Sequence, residues 1–430
     1  MATTFMITND EIAKAISNVS IGTDSKSAIR FSIKELEPGK SRQLGEKYMS
    51  KLVSISNDGT MSVEANLAVP ADADAEAFTT WVDGDTLALT KSLCASKADV
   101  GLQFDAGILT ISSANSVFPR ETLAEERIPQ AMPNGIEDAL VFVGVQKESL
   151  ITALKSVMQQ IDPKAKSFMK HLAFVVDKAR EGKELSLFGT NGYSMDLEYV
   201  SAEVNKFSAE KAQTAALQKK VEENLKKYKE AHDIKDEQLV FAFPYNAVQA
   251  MFALLTNPLN KDGAVKIAIG ERQVNVVFSG ALLRFSLASE TAPFNDLEMA
   301  VSQPIACEVQ VDADELRQKI DLLMLSDGGF SKDMNFPVYT SLEDGMLCLK
   351  TKHGSNVSLK PAAISGDEAA VSPILPPFVC QTAIRSRAAG NLVLGFNGAK
   401  GIVVFANGTV GELQDGRSAF APVNPDEIEE

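Results

Sequence analysis

Hydrophobic positions along this chain switch repeatedly between two spacings. Ile12, Ala15, Ile16 and Val19 fall at i, i+3, i+4 and i+7, one face of a helix. Asn9 is placed to cap that helix, with Asp10 and Glu11 in the first turn, where the helix dipole favours acids. The stripe returns as Leu150, Leu154, Val157, Met158 and Ile161, and as Val248, Met251, Phe252 and Leu255 behind Pro244. It returns again as Leu316, Ile320, Leu323 and Met324 behind a capping Asp312. Weaker helical stretches span 85–93 and 377–387. Between the stripes the spacing drops to two, around turns rich in Gly and Asp: SNDGTMSV (56–63), FDAGILTI (104–111), AREGKELSLF (179–188), GERQVNVVF (270–278), LEDGMLCL (342–349) and FNGAKGIVVF (396–405). Six strand–turn–strand phrases accompany six helices and fall into three pairs. One supersecondary unit used six times predicts a pseudo-symmetric molecule whose function lies in its shape rather than in a reaction centre.

Two breaks in texture, PQAMPNG (129–135) and VSQPI (301–305), divide the 430 residues into three parts, within the two to four domains that this length predicts. The expected domains are 1–134, 136–303 and 305–430. Residues 204–235 do not fit the repeat. They are rich in Ala, Lys, Glu and Gln, with Leu217, Val221, Leu225 and Tyr228 on a narrow stripe, and predict a long inserted helix. Such a helix either packs, solvated, on its own domain or serves as a docking arm for a partner.

A formal net charge of -15 argues against tight binding of nucleic acid by bulk attraction. It leaves room for positive charge confined to one internal surface. No apolar run approaches the ~20 residues needed to cross a bilayer, and the first residues lack the basic region of a signal peptide. Cys94, Cys307, Cys348 and Cys380 lie far apart without CxxC spacing, which predicts reduced, buried thiols and a cytoplasmic protein. His171, His232 and His353 sit at no metal-ligand spacing, so no metal or cofactor is expected. There is no GxSxG, P-loop or HExxH, and GTNGY (189–193) lacks the ending of a phosphate loop. The chain reads as a non-enzyme.

The stretch LSLFGTNGYSMDLEYV (185–200) resembles the bacterial DNA polymerase sliding clamp, the beta subunit, in which a strand enters a T-D-G-H-R-L type of turn. Other stretches agree in order: LTISSANSVFPRETLAEERIP (109–129), SLITALKSVMQQID (149–162), VFAFPYNAVQAMFALL (240–255), ASETAPFNDLEMAV (288–301), ELRQKIDLLMLSDGG (315–329) and AFAPV (419–423). The resemblance implies an α+β chain of three similar clamp domains, each with two helices packed on antiparallel sheets, forming half of a ring. It further implies a head-to-tail homodimer around duplex DNA that tethers the replicative polymerase for processive synthesis. The alternative is a clamp-like protein that binds replication peptides without encircling DNA.

Carried across the matching motifs, the pocket for short peptides of polymerase and clamp loader comprises Met169, Thr190, Gly192, Tyr193, Ser194, Met195, Pro244, Val248, Ala419, Ala421 and Pro422. Tyr193 and Ser194 replace the family's usual His and Arg, and Ala419 and Ala421 replace larger apolar groups, which predicts a wider, less charged pocket. Candidate DNA-facing cations are Lys14, Lys91, Lys155, Arg317, Lys319, Arg385 and Arg387. The dimer contact is expected at Phe118 and Leu123 on one side and Met324 and Leu325 on the other.

Overall fold

Every one of the six repeated turns closes an antiparallel hairpin. The turn at 56–60 joins Tyr48–Ile55 to Met61–Leu67, and the one at 106–107 joins Val100–Asp105 to Ile108–Ser113. The other four do the same between His171–Val176 and Leu185–Thr190, Ala264–Gly270 and Gln273–Phe278, Val338–Glu343 and Met346–Thr351, and Asn391–Phe396 and Val403–Thr409. In the computed structural model the described residues are 4–35, 48–67, 77–95, 98–130, 132–133, 135–205, 212–232, 234, 238–327, 337–352, 354–375, 377–387 and 390–422. Within them lie eight α-helices: α1 Asn9–Val19, α2 Gly84–Cys94, α3 Lys147–Val157, α4 Ala212–Ala231, α5 Tyr245–Thr256, α6 Phe294–Val301, α7 Ala313–Asp327 and α8 Pro377–Ser386. The architecture is α+β and almost entirely antiparallel.

The chain divides into two compact units. Unit 1 holds Met1–Ile151, Glu203–Lys235 and Asn246–Leu287, and unit 2 holds Thr152–Ala202, Asp236–Tyr245 and Ala288–Glu430. Each contains one nine-stranded and one four-stranded sheet. In unit 1 the long sheet runs Ala202–Val204, Ala139–Gln146, Ala264–Gly270, Gln273–Phe278, Ala281–Ser286, Met61–Leu67, Tyr48–Ile55, Ala28–Glu35, Phe78–Asp83. Two four-strand blocks, from either side of the 129–135 break, are fused where Ala281–Ser286 pairs with Met61–Leu67. The register there is Phe285↔Met61 to Ala281↔Ala65. In unit 2 the order is Leu239–Pro244, His171–Val176, Leu185–Thr190, Ser194–Val200, Glu412–Phe420, Val403–Thr409, Asn391–Phe396, Cys307–Asp312, Ala363–Gly366. Its blocks fuse across the 301–305 break through Ser194–Val200 on Glu412–Phe420, in register Phe420↔Ser194 to Arg417↔Leu197. The four-stranded sheets run Phe5–Ile7, Val100–Asp105, Ile108–Ser113, Ser116–Glu121 in unit 1 and Asn356–Leu359, Met346–Thr351, Val338–Glu343, Ile374–Leu375 in unit 2.

The helices bury the faces that the periodicity selects. Ile12, Ala15, Ile16 and Val19 of α1, and Leu316, Ile320 and Leu323 of α7, are buried, and α1 packs on α2 as α7 packs on α8. Asp312 caps α7 by accepting from Glu315 N–H at 2.8 Å, and Asp83 caps α2 by accepting from Thr86 N–H at 3.0 Å. At α1 the structure moves the start by one residue: Thr8 is the N-cap, and its hydroxyl donates to Glu11 at 2.7 Å. Helix α6 was not anticipated, and it takes Val301, the first residue of the expected linker, into the core of unit 2. All four cysteines are free and buried. Among the described residues no helix is long and apolar enough to cross a membrane.

The inserted segment forms α4, lying on the strands Ala139–Gln146 and Ala264–Gly270. Val221 is fully buried against Ala139 and Ala268, with Leu217 beside it, and Asn224 Nδ2 donates to Glu137 O at 3.0 Å. Its outward face carries Lys219–Glu223 and Lys226–Glu230 pairs at i, i+4, each 3.9 Å apart, which support the helix weakly. Attachment through one stripe predicts that Val221→Ala costs about 2 kcal/mol. Hydrogen exchange should then quicken along α4 while the nine-stranded sheet beneath keeps its protection.

Candidate functional site

In unit 2 the strand Leu185–Thr190 turns back into Ser194–Val200 through a tight, polar loop. Thr190 Oγ1 donates to Ser194 O at 2.8 Å and accepts from Gly192 N–H at 3.0 Å. Asn191 Oδ1 accepts from the N–H groups of Tyr193 and Ser194, both at 2.9 Å. Gly192 sits at φ 90°, and a Cβ there would lie 3.0 Å from Met169 Sδ, so the turn and the methionine are in close approach. Ala421 N–H donates to Tyr193 O at 3.1 Å, which brings the end of Glu412–Phe420 alongside. Met169, Thr190, Gly192, Tyr193, Ser194, Ala421 and Pro422 therefore gather around one turn. Tyr193 stands out at 74% exposure. Pro244 pairs with His171 at the start of the strand that follows Met169.

Two expected pocket residues face the core instead. A strand alternates its side chains, so Met195 and its partner Ala419 face away from Ser194, into the core with Phe188 and Phe294. Val248 is buried on α5 and belongs to unit 1.

Behind the turn lies a buried polar network. Ser194 Oγ donates to Gln160 Oε1; Gln160 Nε2 and Ser156 Oγ approach Asp196 Oδ2 at 3.5 and 3.1 Å. Arg387, 3% exposed, donates from Nη1 to Glu198 Oε1 at 2.6 Å and from Nε to Ser418 Oγ at 2.7 Å, with Nη2 3.5 Å from Asp196 Oδ1. Arg387 is thus corrected from the DNA-facing set: two carboxylates hold its guanidinium inside unit 2. Burial raises Glu198 above the ordinary carboxylate range, against the opposing pull of Arg387. His171 is held below its ordinary value by burial and by Lys170.

The other cations differ in availability. Lys91, Lys155 and Arg385 are exposed. Lys14 donates to Ser279 Oγ at 3.3 Å, Arg317 pairs with Asp314 at 2.6 Å and Lys319 is half-buried. Helices α1, α2, α3, α5, α7 and α8 together carry seven Lys or Arg and eight Asp or Glu, so nearly all of the net charge of -15 lies off them.

At the expected dimer contact, Phe118 is half-buried on the edge strand Ser116–Glu121, beside Val117 at 63% exposure. Leu123 N–H donates to Trp81 O at 2.8 Å, which ties that residue to its own unit. In unit 2, Met324 packs on the core while Leu325 and Leu322 point outwards from α7, which lies against the edge strand Asn356–Leu359.

Solved structures match this geometry over nearly the whole chain. A DNA polymerase III beta subunit from Thermotoga maritima is 13% identical, with 98% of this chain and 99% of that one covered, at a TM-score of 0.71. A DNA polymerase sliding clamp from Bacillus subtilis is 14% identical over 99% of this chain and 100% of that one, at 0.71, and one from Pseudomonas aeruginosa is 12% identical over 98% and 100%, at 0.74. The chain has the sliding-clamp fold. No protein-family model matches the sequence, and no curated protein matches it.

On this clamp fold, Ser156, Gln160, Asp196 and Glu198 escaped the sequence reading. A signal was present: Ser194, Asp196 and Glu198 put polar groups on one face of a strand whose other face is Met195, Leu197 and Tyr199. Among the described residues no group of three or more His, Cys, Asp or Glu is arranged to hold a metal ion. A raised carboxyl means that the folded chain binds a proton more readily than the unfolded one. The stabilisation from Glu198 is therefore present in full at acid pH and is lost as pH rises through its raised pKa. Urea titrations across pH should show Glu198→Gln more stable than the parent at neutral pH, with the difference vanishing at acid pH.

Proposed function

We propose that this chain is a DNA sliding clamp: three similar domains in each chain, two chains head to tail around duplex DNA, and a peptide site at the 190–194 turn for the replicative polymerase and the clamp loader. The observation that carries the reading is a pair of joints and a pair of open edges. In each joint the third strand of one three-strand meander pairs with the third strand of another, Met61–Leu67 with Ala281–Ser286 and Ser194–Val200 with Glu412–Phe420. The strands that hold the same places in the four-stranded sheets, Ser116–Glu121 and Asn356–Leu359, have no such partner among the described residues. A third joint of the same kind requires a second copy, and two chains joined in this way, each to the other, close a ring.

The repeat supplies a register. Ser355 O accepts from Thr351 N–H at 2.9 Å, as Met61 O accepts from Ser56 N–H at 2.9 Å, so Ser355 corresponds to Met61. Thr122 N–H donates to Gly107 O at 3.2 Å as Leu287 N–H donates to Arg272 O at 2.8 Å, so Arg120 corresponds to Phe285. Arg120 then faces Ser355 of the second chain, Phe118 faces Val357, and Val117 faces Ser358. Pro119 presents its N-less edge outwards, so this joint lacks one donor and is weaker than the two internal ones. A weaker joint suits a ring that must open for DNA. The near-neutral helices of an acidic chain suit a lining that slides on phosphates without gripping them. The chain has no catalytic task in this reading; it keeps a polymerase on its template.

Bridging Val117→Cys and Ser358→Cys with a short bis-maleimide tests the reading, because the four native thiols are buried. Cross-linked protein formed in the presence of nicked circular DNA should stay on the circle in detergent and be released when the circle is cut. Cross-links confined to single chains, or retention that survives linearisation, contradict it.

A further inference from the structure

The two units repeat each other around their joints down to single hydrogen bonds. In unit 1, Gly59 sits at φ 71°, Ser56 N–H donates to Met61 O at 2.9 Å and Ser286 N–H donates to Thr60 O at 2.9 Å. In unit 2, Gly192 sits at φ 90°, Asn191 N–H donates to Ser194 O at 3.2 Å and Ala421 N–H donates to Tyr193 O at 3.1 Å. Thr60 is thereby the counterpart of Tyr193, Met61 of Ser194 and Ser286 of Ala421. The turn that shapes the proposed peptide site of unit 2 has a twin in unit 1.

Beside that twin lies a cavity of about 560 Å³, within the range of small-ligand sites. Its apolar surface comes from Ile21, Met61, Ala250 and Ala253, and its charge from Asp24 and Asp58, with no Lys or Arg in the lining. A Cβ on Gly22 would collide with Met61 Cε at 2.2 Å, so glycine there lets the methionine fold back against the chain after α1. The two carboxylates are fixed by their own turns: Asp24 Oδ1 accepts from Lys26 N–H at 3.0 Å, and Asp58 Oδ1 accepts from Thr60 N–H at 3.0 Å. Among the described residues neither Oδ2 has a hydrogen bond. Hydrogen bonds from Ser27 to Asp24 and from Ser56 to Asp58 hold both groups below the ordinary carboxylate range, so both are anionic at neutral pH.

We infer that this cavity is a second peptide site, which takes a short extended segment carrying a basic side chain between apolar ones. The inference rests on the peptide-site reading of the 190–194 turn and adds a difference in selectivity. Unit 1 carries Asp58 in its turn, whereas residues 191–194 of unit 2 include no carboxylate, and Asn191, an amide at the place of Ser56, makes the turn bonds there. One backbone frame thus offers an anionic site in unit 1 and a neutral one in unit 2, and a basic partner segment is drawn to the first.

The test uses the full chain and two seven-residue fluorescent peptides with central Leu-Arg-Leu or Leu-Gln-Leu. Hydrogen exchange at 56–61 and 190–195 reports each site separately, and anisotropy gives affinity. Leu-Arg-Leu should protect 56–61. Asp58→Asn keeps the turn-forming oxygen and should weaken Leu-Arg-Leu about three- to fivefold, as expected for an exposed ion pair, while leaving Leu-Gln-Leu unchanged. Ala253→Trp, at an exposed helix position, should abolish protection at 56–61 and leave 190–195 as it was. No protection at 56–61 in the parent protein, or the same protection in Ala253→Trp and the same affinity in Asp58→Asn, overturns the inference. Absence of protection at 190–195 strikes the reading of that turn instead, and protection at 190–195 alone strikes only the second site.

Discussion

An unpaired strand edge is the constraint on which this molecule is built. A sheet edge exposes a row of N–H and C=O groups that will pair with whatever strand comes near. Here the repeated four-strand block hides its edge by fusing with another block, once through Met61–Leu67 and once through Ser194–Val200. Each fusion makes a nine-stranded sheet out of strands far apart in sequence. The hairpin turns, the helix faces and the approach of residues 190–194 to Ala421 all depend on those two seams.

Polar networks at helix ends mark the same places in both units. In unit 1, Asn18 at the end of α1 accepts from Asn257 at 2.7 Å and from Asn260 at 2.9 Å, and Asn260 also donates to Leu254 O at the end of α5. In unit 2, Ser156 and Gln160 at the end of α3 meet Arg387 at the end of α8 through Asp196. An all-amide cluster is neutral and well satisfied. The ionic one includes a guanidinium nitrogen and a carboxylate oxygen without hydrogen-bond partners, Arg387 Nη2 and Asp196 Oδ1. Buried charge of this kind contributes little net stability and is better suited to fixing one geometry. The geometry it fixes is that of the turn with Thr190 and Ser194.

Element identity was legible in the sequence because periodicity and turn chemistry are local. All six hairpins and all six repeat helices follow from spacing, including α2 and α8, whose stripes are faint. Partnership was not legible. The clamp-like turn motif groups Ser194 and Met195 in one pocket, but only the strand register with Phe420 and Ala419 shows that they look into different cores. Arg387 follows Arg385 by two residues and reads as the same surface charge, yet Arg385 is exposed and Arg387 is enclosed by Glu198 and Asp196. Helix α6 has eight residues and too short a stripe to be told from a linker. At 11–14% identity to the clamp structures, the fold is shared while most residues differ.

In the proposed ring, two edges left open among the described strands of one chain are closed by a second chain. Light scattering on the purified protein across a dilution series tests it most directly. A closed two-chain ring gives a species of twice the 46.2 kDa chain mass that gives way to monomer only on dilution. A monomer at every concentration would contradict it.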